Sequence, residues 1–134
     1  MRDDGTIPMD ESLLECDLDW FGVAPDGSLA HFATAGVGPV PVELSGSVAN
    51  YELVFDYFAS LQPMSDIEVI EENLEEFANE EQRQRYLASF IAMSRKGLLS
   101  YDFKENMYIL VARPIVPMKY DLLPEHIKNT LPLI

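Results

Sequence analysis

The chain has 134 residues, 48% of them hydrophobic, and 23 acidic against 9 basic side chains give it a net charge of −14. That apolar content suffices for one buried core and argues against disorder. The charge argues against binding to nucleic acid or an anionic membrane, and it favours a basic protein partner. The acidity is also uneven: from Asp3 to Gln82 there are 19 acids and no Lys or Arg, whereas residues 83–134 carry eight basic and four acidic side chains.

The elements follow in chain order. Residues 1–13 lack periodicity and read as a loosely ordered leader to a single domain spanning 1–134. From Leu14 to Val23, apolar Leu14, Cys16, Leu18 and Trp20 alternate with Glu15, Asp17 and Asp19, the period of a half-buried strand. Ala24-Pro25-Asp26-Gly27-Ser28 is turn chemistry, and Leu29–Thr34 returns as the second strand of a hairpin. Residues 35–47 hold Gly36, Gly38, Pro39, Pro41 and Gly46, too many breakers for a central strand, and read as a loop or an edge.

Val48–Leu61 places Val48, Tyr51, Phe55 and Phe58 at helical spacing, with Ser47 as cap and Pro63 as stop. Ser65-Asp66-Ile67-Glu68 matches a capping box, so a second helix is expected to carry Ile67, Ile70, Leu74 and Phe77 inward. A third helix starts at Asn79, buries Tyr86, Leu87, Phe90 and Ile91, and ends at Arg95, Lys96 and Gly97. Leu99–Lys104 and Met107–Arg113 alternate around Glu105-Asn106 as a second hairpin, which Pro114 and Pro117 end. Leu122–Leu131 is expected to form a short helical turn. The order implies α+β: an antiparallel sheet of two hairpins, about three helices between them, and a short C-terminal helix.

Chemistry-bearing residues are sparse. Asp17 and Asp19 share one face of the expected strand, and His31 on its partner strand falls close to them. Together with the 36–41 loop they would line the site of a small metal-dependent or small-molecule enzyme. Alternating acids on the wet face of an edge hairpin are the preferred reading of the same residues. Cys16 is expected to be a small buried hydrophobe. It cannot form an internal disulfide, and no basic-then-apolar leader precedes it, so a cytoplasmic location is the default. With His31, His126 and Cys16 as the only residues of their kinds, no zinc set assembles, and no cofactor or metal is expected. No apolar run approaches the ~20 residues of a membrane helix. The densest acids, Glu68, Glu71, Glu72, Glu75 and Glu76, fall on the expected second helix. With Asp17 and Asp19 they are the candidate partner-binding residues, and a solvated, solubilising face is the plainer account of them.

Asp19-Trp20-Phe21-Gly22-Val23, Gly27 to Phe32, and Lys96-Gly97-Leu98-Leu99-Ser100-Tyr101-Asp102 resemble a loose group of small bacterial proteins associated with immunity to polymorphic toxins. The likeness spans Asp17–Phe32 and Lys96–Pro117. It implies a non-enzymatic protein that binds a cognate toxin, here a basic one, and it carries over no catalytic residue. A structural or regulatory subunit without its own activity is a third reading, and the oligomeric state stays open.

Overall fold

The computed structural model describes residues 7–134, so residues 1–6 of the expected leader lie outside it. Residues 7–14 run against the body of the protein. The Val48 amide donates to the Ile7 carbonyl and the Met9 amide to the Ser45 carbonyl. Asp10 then accepts the Leu13 amide at 2.8 Å and starts the one-turn helix α1 (Glu11–Leu14). The first strand, β1 (Asp19–Val23), therefore begins later than its alternation suggests. Cys16 sits in the bend before it, exposed, which corrects the expectation that it is buried.

β1 pairs antiparallel with β2 (Leu29–Ala33), Phe21 opposite His31. The turn between them forms as its residues dictate, with the Asp26 carboxylate accepting the Ser28 amide at 2.9 Å. The chain next forms the short α2 (Val42–Ser45) and the longer α3 (Val48–Ala59), whose Ser47 cap accepts the Asn50 amide. α4 (Glu80–Arg95) begins on Asn79, which accepts the Gln82 amide, and ends at Lys96 and Gly97 as the sequence implies. The Lys96 ammonium also donates to the Phe58 and Ala59 carbonyls, each at 2.9 Å, and ties the C-terminal ends of α3 and α4 together.

β4 (Leu99–Lys104) and β5 (Met107–Pro114) form the second hairpin. Its two-residue turn puts Glu105 at φ 52° and Asn106 at φ 65°, as tight hairpins require. The sheet order is β1-β2-β4-β5-β3, and β2 runs parallel to β4. The fold is therefore α+β with a mixed five-stranded sheet, which corrects the expectation of an antiparallel sheet built from the two hairpins alone. The chain leaves β2, crosses one face of the sheet through α3 and α4, and enters β4 in the same direction.

The fifth strand is the second correction. Residues expected to form a helix from Ser65 instead give β3 (Ile67–Val69), antiparallel to β5, and a 3-10 turn over Glu71–Asn73. β-branched Ile67 and Val69 suit a strand. A helix would also have stacked Glu71 on Glu75 and Glu72 on Glu76 at i,i+4, where like charges repel. Ser65 does not cap a helix: its Oγ accepts the Val116 amide and donates to the Asp66 carbonyl. A 3-10 turn at Tyr120–Leu122 and the one-turn α5 (Glu125–Lys128) follow β5.

Phe21 stacks on Phe58 with ring centroids 4.6 Å apart, and Leu87 and Phe90 of α4 pack on Val111 and Ala112 of β5. β1 and β2 are buried on both faces, so the first hairpin has no wet face beyond its end at Asp19. No helix among the described residues is long and apolar enough to cross a membrane.

Candidate functional site

Three neighbouring strands carry one aromatic each at matched positions: Trp20 pairs with Phe32 and Phe32 with Tyr101. Their rings stack from strand to strand, with centroids 4.1 Å and 4.9 Å apart and planes within 13° and 11° of parallel. That separation follows the spacing of the strands themselves, about 4.8 Å. Both faces of Phe32 are therefore covered. Tyr108 of β5 stands nearly perpendicular to Trp20 and Phe32, at 79° and 73°. Its hydroxyl accepts from Trp20 Nε1 at 3.0 Å and donates to the Pro39 carbonyl at 2.9 Å, which pins the 35–41 loop to the sheet.

Above the ladder is a cleft of about 610 Å³, walled by Pro39, Val40 and Pro41 and closed at its far end by Pro25 and Ile134. Hydrogen bonds from the Val23 amide to the Pro132 carbonyl and from the Ile134 amide to the Val23 carbonyl hold that end in place. A second hollow of about 310 Å³ shares Ala24 and Pro25 with the first, and its lining includes Asp26, Lys119 and Asp121. Apolar surface continues beyond the cleft: Val42, next to Pro41, is 74% exposed, and Leu133, next to Ile134, is 78% exposed.

Acid flanks this apolar surface. Asp26 is exposed on the turn beside Pro25, and the Ser28 amide holds its carboxyl below the usual range. Glu43 follows Val42, and Asp17 accepts the Ala35 amide at the start of the 35–41 loop. The nearby cation, Lys119, donates to Ser28 Oγ at 3.0 Å. No family model, curated protein or solved structure matches this chain. The cleft must therefore be read from its own chemistry.

Asp17 and Asp19 do not converge. Asp17 turns to the loop, whereas Asp19 Oδ1 meets His31 Nε2 at 2.6 Å, and His31 Nδ1 meets Ser100 Oγ at 2.6 Å. A carboxylate offers only lone pairs, so Nε2 of the neutral ring carries the proton and Nδ1 accepts from the Ser100 hydroxyl. The β2–β4 pairing, which sets His31 beside Ser100, creates a Ser, His and acid line from residues far apart in the chain. The line does not have the geometry of a nucleophile, because His31 and Ser100 are both 0% exposed and a substrate carbonyl cannot reach the hydroxyl. It satisfies polar groups between the sheet and α4, where His31 lies against Phe90. No three His, Cys, Asp or Glu side chains among the described residues are placed to share a metal ion.

The acidic candidates lie at the opposite edge of the sheet, along β3 and the approach to α4. Glu68 accepts from Arg113 Nε at 2.6 Å, Glu71 takes both terminal nitrogens of Arg83, and Glu72, Glu75 and Glu76 are exposed. Exposed pairs of this kind contribute little to stability, but they offset the charge of two of the five candidate glutamates, Glu68 and Glu71. The sequence reading did not single out Phe32, Tyr101 and Tyr108 as site residues. Their signal is that each of the strands β1, β2, β4 and β5 carries an aromatic, which acquires a location only once the strand order is known.

Buried hydroxyls give the protein a distinct alkaline response. Tyr51 donates to the Asp19 carbonyl at 2.9 Å, and burial, reinforced by the Asp19 charge, pushes it up to about 12. Burial also raises Tyr86, which donates to Asp102 Oδ2 at 2.6 Å, and it raises Tyr101 and Tyr108. Each of these four tyrosines ionises more readily in the unfolded chain, so its contribution is complete below the ordinary value of 10.0 and is lost as pH rises through its raised folded value, about 12 for Tyr51. Lys96, whose ammonium burial pulls down, acts in the opposite sense, but it is one group against four. The urea midpoint is expected to fall steadily as pH rises above that ordinary value. A flat midpoint would contradict the assignment.

Proposed function

We propose that the protein is a non-enzymatic binding module that docks a basic protein partner on the acid-flanked aromatic cleft. The observation that carries this reading is the cleft itself: an apolar hollow with exposed hydrophobic flanks, acids around it and no free nucleophile or base on its floor. Contiguous exposed apolar surface rimmed by charge is the form of a protein-recognition patch. One aromatic or large aliphatic anchor seated there buries about 150 Å² and gains about 4 kcal/mol before the costs of association. The surrounding acids speed encounter with a basic partner and select against acidic ones. The resemblance to immunity proteins fits this reading, because such proteins work by occupying the surface of a toxin.

Panning a random peptide library on the immobilised protein tests it. Enriched sequences are expected to combine an apolar anchor with Lys or Arg and to lose retention as salt rises from 0.1 M to 1 M, where the screening length shrinks from about 10 Å to about 3 Å. Pro39 is an exposed wall residue, so Pro39→Asp should leave the fold intact and lower enrichment by about tenfold, a 1.4 kcal/mol loss. The triple variant Glu72→Gln, Glu75→Gln, Glu76→Gln should retain it. The reverse pattern would move docking to the acidic strip beside β3.

A further inference from the structure

We infer that the partner binds as an extended strand in which apolar and basic residues alternate, and that it takes the place now held by Leu133 and Ile134 beside Val23. This inference rests on the docking role proposed above and specifies the form of the partner and what it displaces. A segment of the chain already lies there. The Val23 amide donates to the Pro132 carbonyl and the Ile134 amide to the Val23 carbonyl, each at 3.0 Å, so that Leu133 runs parallel to Val23 as a strap. Gly22 permits the close approach: a Cβ there would stand 3.0 Å from Ile134 Cγ2 and 3.2 Å from the Pro132 carbonyl oxygen.

The alternation follows from what the two residues of the strap face. Ile134 lines the apolar cleft, whereas Leu133 lines the adjoining hollow together with Asp26 and Asp121. Lys119 also lines that hollow, with its ammonium donating to Ser28 Oγ at 3.0 Å. Successive side chains of an extended segment point to opposite sides, so a strand on this path places one residue in the cleft and the next beside the acids. The strap itself suits only the first position. It leaves Leu133, an apolar side chain, 78% exposed on the acidic side, where a lysine or arginine would meet opposite charge.

Burial along the strap shows where it opens. Leu131 and Pro132 are buried, whereas Leu133 and Ile134 are exposed, so the segment lifts after Pro132 while the Val23 amide keeps its bond. The bond given up is the one from the Ile134 amide to the Val23 carbonyl, and an amide of the incoming strand restores it, as in strand addition to a sheet edge. The interior amides of a helical partner are engaged within the helix and cannot. A second copy of this chain fits poorly, since it brings its own charge of −14 to the acidic side.

Trp20 is the only tryptophan in the chain and lines the cleft, so its fluorescence reports binding. Two probes of equal composition and charge isolate the pattern: a hexapeptide alternating leucine and lysine, and its isomer with three leucines followed by three lysines. The alternating peptide is expected to bind about tenfold more tightly. A disulfide between positions 23 and 133 locks the strap. The two residues are bridge partners lining the same hollow, and paired strands lie about 4.8 Å apart, within the reach of a disulfide. In the variant Val23→Cys, Leu133→Cys, with Cys16→Ser removing the native thiol, oxidation is expected to weaken the alternating peptide about tenfold and reduction to restore it. Equal affinity for the two isomers would overturn the alternating strand, and equal affinity of the oxidised and reduced forms would overturn the displacement of the strap; either leaves the cleft as a docking site. No response to either isomer would overturn this inference whole, while retention of panned peptides and its loss in Pro39→Asp would show that the docking role stands without it.

Discussion

Replacing His31 by leucine is expected to destabilise the protein by about 3 kcal/mol, and removing the Ser100 hydroxyl in the same chain should restore part of that loss. Leucine keeps most of the volume against Phe21 and Phe90, so the cost is mainly polar. The Ser100 hydroxyl, fully buried, loses its partner, a penalty of about 1–3 kcal/mol, and the Asp19 carboxylate loses a charge-assisted bond. His31→Leu with Ser100→Ala deletes both ends of the orphaned contact and should recover about 1–2 kcal/mol relative to the single variant. Urea unfolding of the four members of the cycle measures the coupling. Additive losses would show that His31 and Ser100 do not depend on each other.

Gly97→Ala is expected to cost about 3 kcal/mol, more than an alanine at the turn glycine Gly27. Gly97 follows the last turn of α4 at φ 99°, and a Cβ there would sit 2.9 Å from the Met118 amide nitrogen and 2.8 Å from its Cβ. That amide donates to the Gly97 carbonyl at 2.8 Å, so the neighbour cannot withdraw without breaking the bond that seats the 115–118 segment. Backbone strain of about 1–2 kcal/mol and the contact with fixed atoms add together. Gly27 has φ 86° but open space around it, so alanine there meets only the backbone term. Equal thermal shifts for the two variants would remove Met118 from the account.

Local sequence signals are reliable here where the structure they encode is local. Ser47 and Asn79 cap the helices that their spacing implies, and the Asp26 and Glu105-Asn106 turns close the hairpins where expected. Those features depend on hydrogen bonds between residues two to four apart. The segment from Ser65 misleads because a serine three residues before a glutamate also occurs outside helices. There β5 offers amides and carbonyls to Ile67 and Val69, and no isolated window contains that competitor. Alternation across β1 likewise says which residues share a face but not that α3 covers one face and the loop and tail the other.

The sequence by itself determined the acidic charge, its concentration in residues 3–82, the two hairpins and the two longer helices, since these follow from composition and short-range periodicity. Only the tertiary structure decided that β2 lies parallel to β4. That single pairing joins Phe32 to Tyr101 in the aromatic ladder and His31 to Ser100 in the buried polar line, across about seventy residues of intervening chain. It also separates the acidic strip from the cleft by placing β3 at the far edge of the sheet. The physical reason is that strand order is set by which edges and apolar faces remain to be covered once the helices have packed, a property of the whole chain and of no one segment.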